Sequence, residues 1–161
     1  RLNVHQVLSA QTASPLLGGS VQPIACLHGE GLIGRMMAHG HGYFIQMPDE
    51  PSLYIAGDTL LTDAVRHCLS VLAPDISVLP AGGAQFDMGG PIIMGQEDIL
   101  SALRLSQGIV VANHLEALDH CPVTRRELLQ EAARQGLGER LRVPADGETL
   151  EFLPTSQAVA A

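Results

Sequence analysis

Apolar positions along the chain follow two periods. In seven short stretches they form unbroken runs or alternate with polar residues: 21–27, 42–47, 52–56, 76–79, 109–112, 141–143 and 149–153. Runs of this length, rich in β-branched residues, read as strands. Between 42–47 and 52–56 lies Pro48-Asp49-Glu50-Pro51, a run of turn-forming residues, so these two strands are expected to pair antiparallel. Three other stretches space their apolar residues three and four apart, the period of a helix with one buried face. In 62–72, Thr62 is the N-cap and Val65, Cys68, Leu69 and Leu72 share a face. In 96–106 the buried set is Ile99, Leu100 and Leu103. The third helix opens on Thr124-Arg125-Arg126-Glu127, a capping box, and closes near Gly136 or Gly138.

Strands interleaved with amphipathic helices predict one layered α/β domain over 1–154, with 155–161 as a frayed tail. Gly82-Gly83 and Gly89-Gly90 fall in loops after a strand, where layered folds assemble their sites. The chain has 161 residues, 46% of them hydrophobic, enough to bury a core and too apolar for a disordered segment. No apolar run approaches the roughly 20 residues of a membrane span, and no secretory leader pattern is present.

Charge and residue usage then exclude several chemistries. The net charge of −8 disfavours nucleic acid, whose phosphates call for a basic patch. All 9 basic residues are arginine, so a P-loop or a Schiff-base enzyme is ruled out for want of its lysine. Cys26, Cys68 and Cys121 are widely spaced, and no Cys-x-x-Cys occurs. A disulfide framework or a thiolate zinc knuckle is therefore not expected; reduced cysteines in a cytoplasmic protein are.

Three metal-capable side chains share one placement, in a loop directly after an apolar strand: His28, Asp58 and His114. A sheet holds its strand ends rigidly, so side chains there can converge as a metal requires. Imidazoles and a carboxylate suit zinc or another first-row metal. Spacing alone leaves plainer readings open. A single histidine after a strand is often a solvated or packing residue, and Asp58 in Gly57-Asp58-Thr59 would cap backbone N–H groups equally well.

The stretch Leu53-Tyr54-Ile55-Ala56-Gly57-Asp58-Thr59 resembles the metallo-β-lactamase superfamily, most of all the branch of L-ascorbate-6-phosphate lactonase and the N-acylphosphatidylethanolamine-hydrolysing phospholipase D. The likeness continues, in order, through Ala25-Cys26-Leu27-His28-Gly29, Gly42-Tyr43-Phe44-Ile45, Leu79-Pro80-Ala81-Gly82-Gly83 and the loop from Val111 to His120. It implies half of a four-layer αββα sandwich, a mixed sheet with helices on one face. It also implies two divalent metals, zinc foremost and manganese second, with His28 in one site, His114 in the other and the Asp58 carboxylate bridging them.

The superfamily's His-x-His-x-Asp-His loop is missing from these residues; His39-Gly40-His41 is the nearest approach and is read as a loop without a metal role. Too few ligands remain for a tight catalytic site, which ordinarily takes three plus water. The chain is therefore expected to be the second half of the fold, completed by an N-terminal half or a partner chain, with a homo-oligomer as a further option.

The activity implied is metal-dependent hydrolysis of an ester-type small molecule, a phosphodiester, lactone or relative, by metal-activated water. The chain alone is expected to be inactive. Asp58 and His120 are the candidate catalytic residues, His120 facing substrate or else packed in its loop. Asp119, Glu116 and Glu30 are candidate acceptors for the imidazole N–H groups, and Asp87 is a candidate substrate-loop acid or turn former. Two alternatives stand beside this: a non-catalytic α/β interaction module on a hydrolase-like scaffold, and a cysteine nucleophile, Cys26 or Cys121, working with His120.

Overall fold

The computed structural model describes residues 12–37, 40–86, 90–116 and 119–153. Asp87 and His39 lie outside the described residues. The chain runs through strands β1 (Ser14–Leu16) and β2 (Gly19–Ala25), helix α1 (Gly31–Met36), strands β3 (His41–Gln46) and β4 (Leu53–Ile55), and helix α2 (Asp63–His67). A π-helical turn, Cys68–Leu72, extends α2. There follow β5 (Ile76–Pro80), β6 (Gln85–Phe86), β7 (Gly90–Pro91), α3 (Gln96–Leu105), β8 (Ile109–Asn113), α4 (Arg125–Arg134) and β9 (Leu141–Arg142).

Seven strands form one sheet in the order β1-β2-β3-β4-β5-β8-β9. Its first part, β1 to β4, is antiparallel. Its second part, β4 to β9, is parallel. The expected hairpin around Pro48 to Pro51 is present, with Phe44 opposite Tyr54.

One row across the sheet, Phe44, Tyr54, Ser77, Val110 and Leu141, faces the helices. Its apolar members share a single core with Val65, Cys68 and Leu69, with Ile99, Leu100 and Leu103 of α3, and with Leu128 and Ala132 of α4. Each of the larger side chains, wholly withdrawn from water, contributes about 1.5–3 kcal/mol. The neighbouring row points the other way, and there Tyr43 and Ile55 remain 40% and 41% exposed. One face of the sheet is thus covered by helices and the other is partly open.

The helix starts follow their sequence signals. Thr62 Oγ1 accepts from Val65 N at 3.3 Å. Thr124 Oγ1 accepts from Glu127 N at 3.2 Å, and Glu127 Oε2 accepts from Thr124 N at 3.3 Å, completing the capping box. The strand expected over 149–153 does not form: these residues have no regular secondary structure and no sheet partner. Their alternation survives only as burial, with Leu150 and Phe152 half-buried between exposed Thr149, Glu151 and Leu153. Among the described residues no helix is long and apolar enough to cross a membrane.

Candidate metal centre

Because β4, β5 and β8 are parallel, their C-terminal ends lie along one edge of the sheet. Asp58 follows β4, Gly82-Gly83 follows β5 and His114 follows β8. The antiparallel strand β3 begins at this edge with His41, paired to Ala25 at the end of β2, so the loop carrying His28 leaves from here too. Four of the chain's metal-capable residues are gathered by topology before any side chain is considered.

The side chains bring two of them together. His114 Nε2 stands 3.9 Å from Asp58 Oδ1. That is too long for a hydrogen bond. It suits two donors to one ion, since bonds of about 2.0–2.2 Å to a shared metal place its ligands roughly 3–4 Å apart. Both groups remain accessible, with 26% of the His114 side chain and 45% of the Asp58 side chain exposed. A carboxylate and an imidazole nitrogen at this spacing fit a divalent cation. His28 does not complete a trio with them: among the described residues no group of three or more His, Cys, Asp and Glu is placed to hold a metal.

His28 is nevertheless tied to the Asp58 loop through its neighbours. Leu27 N donates to Thr59 Oγ1 at 3.0 Å, and Leu60 N donates to Leu27 O at 3.0 Å. Thr59 is wholly buried; its hydroxyl donates to Leu60 O, and its carbonyl accepts from Met94 N. Cys26 Sγ donates to Ala56 O at 3.0 Å in the same seam. Burial pushes the Cys26 thiol up, and the Asp58 carboxylate adds to this, which is the reverse of what a nucleophilic thiol needs.

The His114 loop is shaped differently. His114 and Glu116 both have left-handed backbone, φ 57° and 56°. Glu116 does not accept from an imidazole as expected: it pairs with Arg125 Nη1 at 2.6 Å. The group beside the His114 ring is Cys121, with Sγ 3.6 Å from Nδ1. For the alternative of a cysteine nucleophile working with His120, the histidine ring seen against Cys121 is that of His114. The His120 ring stacks on Phe86 with centroids 6.4 Å apart, both exposed. Asp119 lies exposed in the turn before them, and Glu30 is the exposed residue before α1.

Thr59, Phe86 and the contact of Cys121 with His114 had no sequence signal of their own. Thr59 was visible only as the third letter of Gly-Asp-Thr, and Cys121 as a small buried residue.

No family model matches the chain. It is 33% identical over 125 residues to the UPF0173 protein YddR of Bacillus subtilis (strain 168), a match covering 77% of this chain and 49% of that protein. The chain thus spans about half the length of the curated relative it matches. Among solved structures it is similar to an isothiocyanate hydrolase from Delia radicum gut bacteria, with TM-score 0.84 and 32% identity over 92% of this chain and 59% of that one. A possible metal-dependent hydrolase from Veillonella parvula DSM 2008 superposes with TM-score 0.79 at 23% identity, covering 89% of this chain and 58% of its own. The metallo-beta-lactamase fold protein YhfI from Bacillus subtilis does so with TM-score 0.64 at 9% identity, covering 90% and 53%. The mixed sheet with its helices and these likenesses together show that the chain has the metallo-β-lactamase fold.

Proposed function

We propose that the protein carrying this chain is a metal-dependent hydrolase. Asp58 and His114 would hold a divalent cation between them, zinc first and manganese second, with His28 serving a second cation that Asp58 also touches. The observation that carries this reading is the 3.9 Å approach of His114 Nε2 to Asp58 at the ends of two parallel strands. A cation held there supplies Lewis-acid polarisation of the bond attacked and lowers the pKa of water. Asp58 and His114 orient that ion from a rigid sheet edge. His120, stacked on Phe86, faces substrate. Two protein donors at one ion are fewer than a catalytic site takes, so further ligands come from outside these residues, from the rest of the protein or from a partner chain. Such a partner would also cover the open face carrying Tyr43 and Ile55. The cytoplasm, with its three thiols reduced, is the proposed location.

Ester-type small molecules, phosphodiesters and lactones, are the proposed substrates. The isothiocyanate hydrolase likeness adds an isothiocyanate to the panel, since its central carbon is likewise open to attack by activated water.

The test uses the whole protein purified without chelators. Stoichiometric metal by elemental analysis is expected. Asp58→Ala should lose metal and cut turnover by orders of magnitude, and His114→Ala should do the same. His120→Ala should keep its metal and lose turnover. A metal-free protein in which Asp58→Ala behaves as wild type would point to a non-catalytic interaction module instead.

A further inference from the structure

The Nδ1 side of the His114 ring faces a thiol. Cys121 Sγ lies 3.6 Å away, and Cys121 is 7% exposed. The contact depends on a missing side chain. A Cβ at Gly82 would stand 3.1 Å from both Cβ and Sγ of Cys121 and 2.2 Å from the His114 carbonyl oxygen. The three segments that meet here are joined by backbone: Ala81 N donates to Asn113 O at 2.9 Å, Val123 N to Gly82 O at 3.2 Å, and Gln85 N to His120 O at 3.3 Å. The thiol is thereby held against the ring from a fixed direction.

We propose that Cys121 is a positioning residue for His114. It accepts a hydrogen bond from Nδ1–H, and so keeps the proton off Nε2, the nitrogen that faces Asp58. This rests on the metal reading in one respect, that Nε2 is the nitrogen offered to the cation. The chemistry is simple. A neutral imidazole has one proton for two nitrogens, and whichever nitrogen binds a metal must give it up to the other. Metal-binding imidazoles usually send that second N–H to a carboxylate, a carbonyl or water. A thiol sulfur is a weaker acceptor. It biases the ring toward the useful tautomer without placing a second negative charge beside Asp58.

The tautomer can be read with no metal present. In the whole protein, labelled with nitrogen-15 and stripped of metal, long-range proton–nitrogen spectra at alkaline pH report which nitrogen of the neutral His114 ring carries the proton. Wild type and Cys121→Ser, whose hydroxyl accepts as well, should show Nδ1–H. Cys121→Ala should move the population toward Nε2–H. Zinc affinity by competition should fall about ten- to hundredfold in Cys121→Ala and recover in Cys121→Ser. Thermal melts of both variants separate this from lost packing, because serine restores the acceptor but not the thiol's apolar fit. A His114 ring protonated on Nε2 in wild type, or an unchanged tautomer in Cys121→Ala, would overturn the proposal. A protein that binds no zinc while its tautomer responds to Cys121 would sink the metal reading and leave the positioning role standing.

Discussion

The loop after β4 carries Asp58 and the loop after β8 carries His114, and the two hold their residues in different ways. In the first, the left-handed backbone falls on Gly57, φ 67°, which has no Cβ to strain. Asp58 is then free to sit in ordinary backbone, and buried Thr59 clamps the turn to Leu27 and Met94. In the second, the left-handed conformation falls on His114 itself and again on Glu116. Each such non-glycine costs of order 1–3 kcal/mol and persists only where its surroundings hold it. Here the surroundings are side chains: Cys121 on the ring, Arg125 on Glu116, and Arg125 Nε on Pro144 O at 3.0 Å. One candidate metal ligand is fixed by backbone and a buried hydroxyl. The other is strained and fixed by contacts that single substitutions can remove.

Adding one carbon to a glycine in each region should give the largest difference. Gly82→Ala drives a Cβ to 2.2 Å from the backbone oxygen of His114, an atom that cannot swing aside. A loss of about 3 kcal/mol is expected, at the upper end for overpacking, together with displacement of His114 from Asp58. Gly57→Ala meets nothing nearer than His41 O at 4.0 Å. It should cost only the left-handed strain of about 1–2 kcal/mol. Denaturant midpoints of the two variants measure this, and a Gly57→Ala protein as unstable as Gly82→Ala would erase the distinction.

The polar clamps come next. Thr59→Val keeps the shape but leaves Leu27 N without its acceptor in a buried seam, at a cost of about 1–3 kcal/mol. Glu116→Gln breaks a partly exposed ion pair, at a cost of less than about 1 kcal/mol. The smaller change should nevertheless disturb His114 more. Amide exchange at 113–116 should rise in Glu116→Gln, and exchange at 57–60 should rise in Thr59→Val. The same pattern in both variants would show that the loops are one unit.

This contrast explains how much could be read in advance. Strands β2 to β5 and β8 were legible because each is a short apolar stretch, alternating in burial in β3 and almost continuously buried in β5 and β8. Helices α2 to α4 were legible from the spacing of residues such as Val65, Cys68 and Leu69. Asp58 and His114 were legible as metal-capable residues at strand ends. Helix α1 was missed because Gly-Leu-Ile-Gly-Arg-Met is one turn and a half with two glycines, too short to show a face. Strands β6 and β7 are two residues each, too short to show an alternation. The run 149–153 has the right alternation and no neighbouring strand, and pairing is decided by tertiary placement. Likewise the sequence offers only nearby acids as partners for the His114 ring. The nearest acid, Glu116, is taken by Arg125, and the empty space at Gly82 admits Cys121, a relation between distant strand ends that no local pattern encodes.

The smallest effect expected is an acid loosening of one loop and not the other. The segment from His114 ends at Thr124, where α4 begins, and Glu127 locks that start by accepting from the Thr124 hydroxyl and backbone N–H. These hydrogen bonds, with a smaller contribution from Arg126, hold the Glu127 carboxyl below its ordinary value. A depressed folded-state pKa means that the stabilisation is complete above the unfolded carboxylate value of about 4.3 and is lost as pH falls through the lower folded-state value. Glu131, held down to about 2 by Arg134 and Gln135, releases later in the same direction. Glu127 is exposed and Glu131 half-buried, and the Glu127 cap that matters here gives a small change in midpoint that weakens with salt. The Thr59 hydroxyl does not titrate in this range, so the Asp58 loop has no matching response from its clamp. Hydrogen exchange between pH 5 and 3, corrected for intrinsic rates, should therefore rise at 113–116 relative to 57–60 in wild type. In Glu127→Gln, which cannot ionise at this position, that added acid response should shrink, leaving the part carried by the Glu116–Arg125 pair. Parallel acid profiles for wild type and Glu127→Gln would show that the α4 cap does not hold the His114 loop, leaving Arg125 and Cys121 as its anchors.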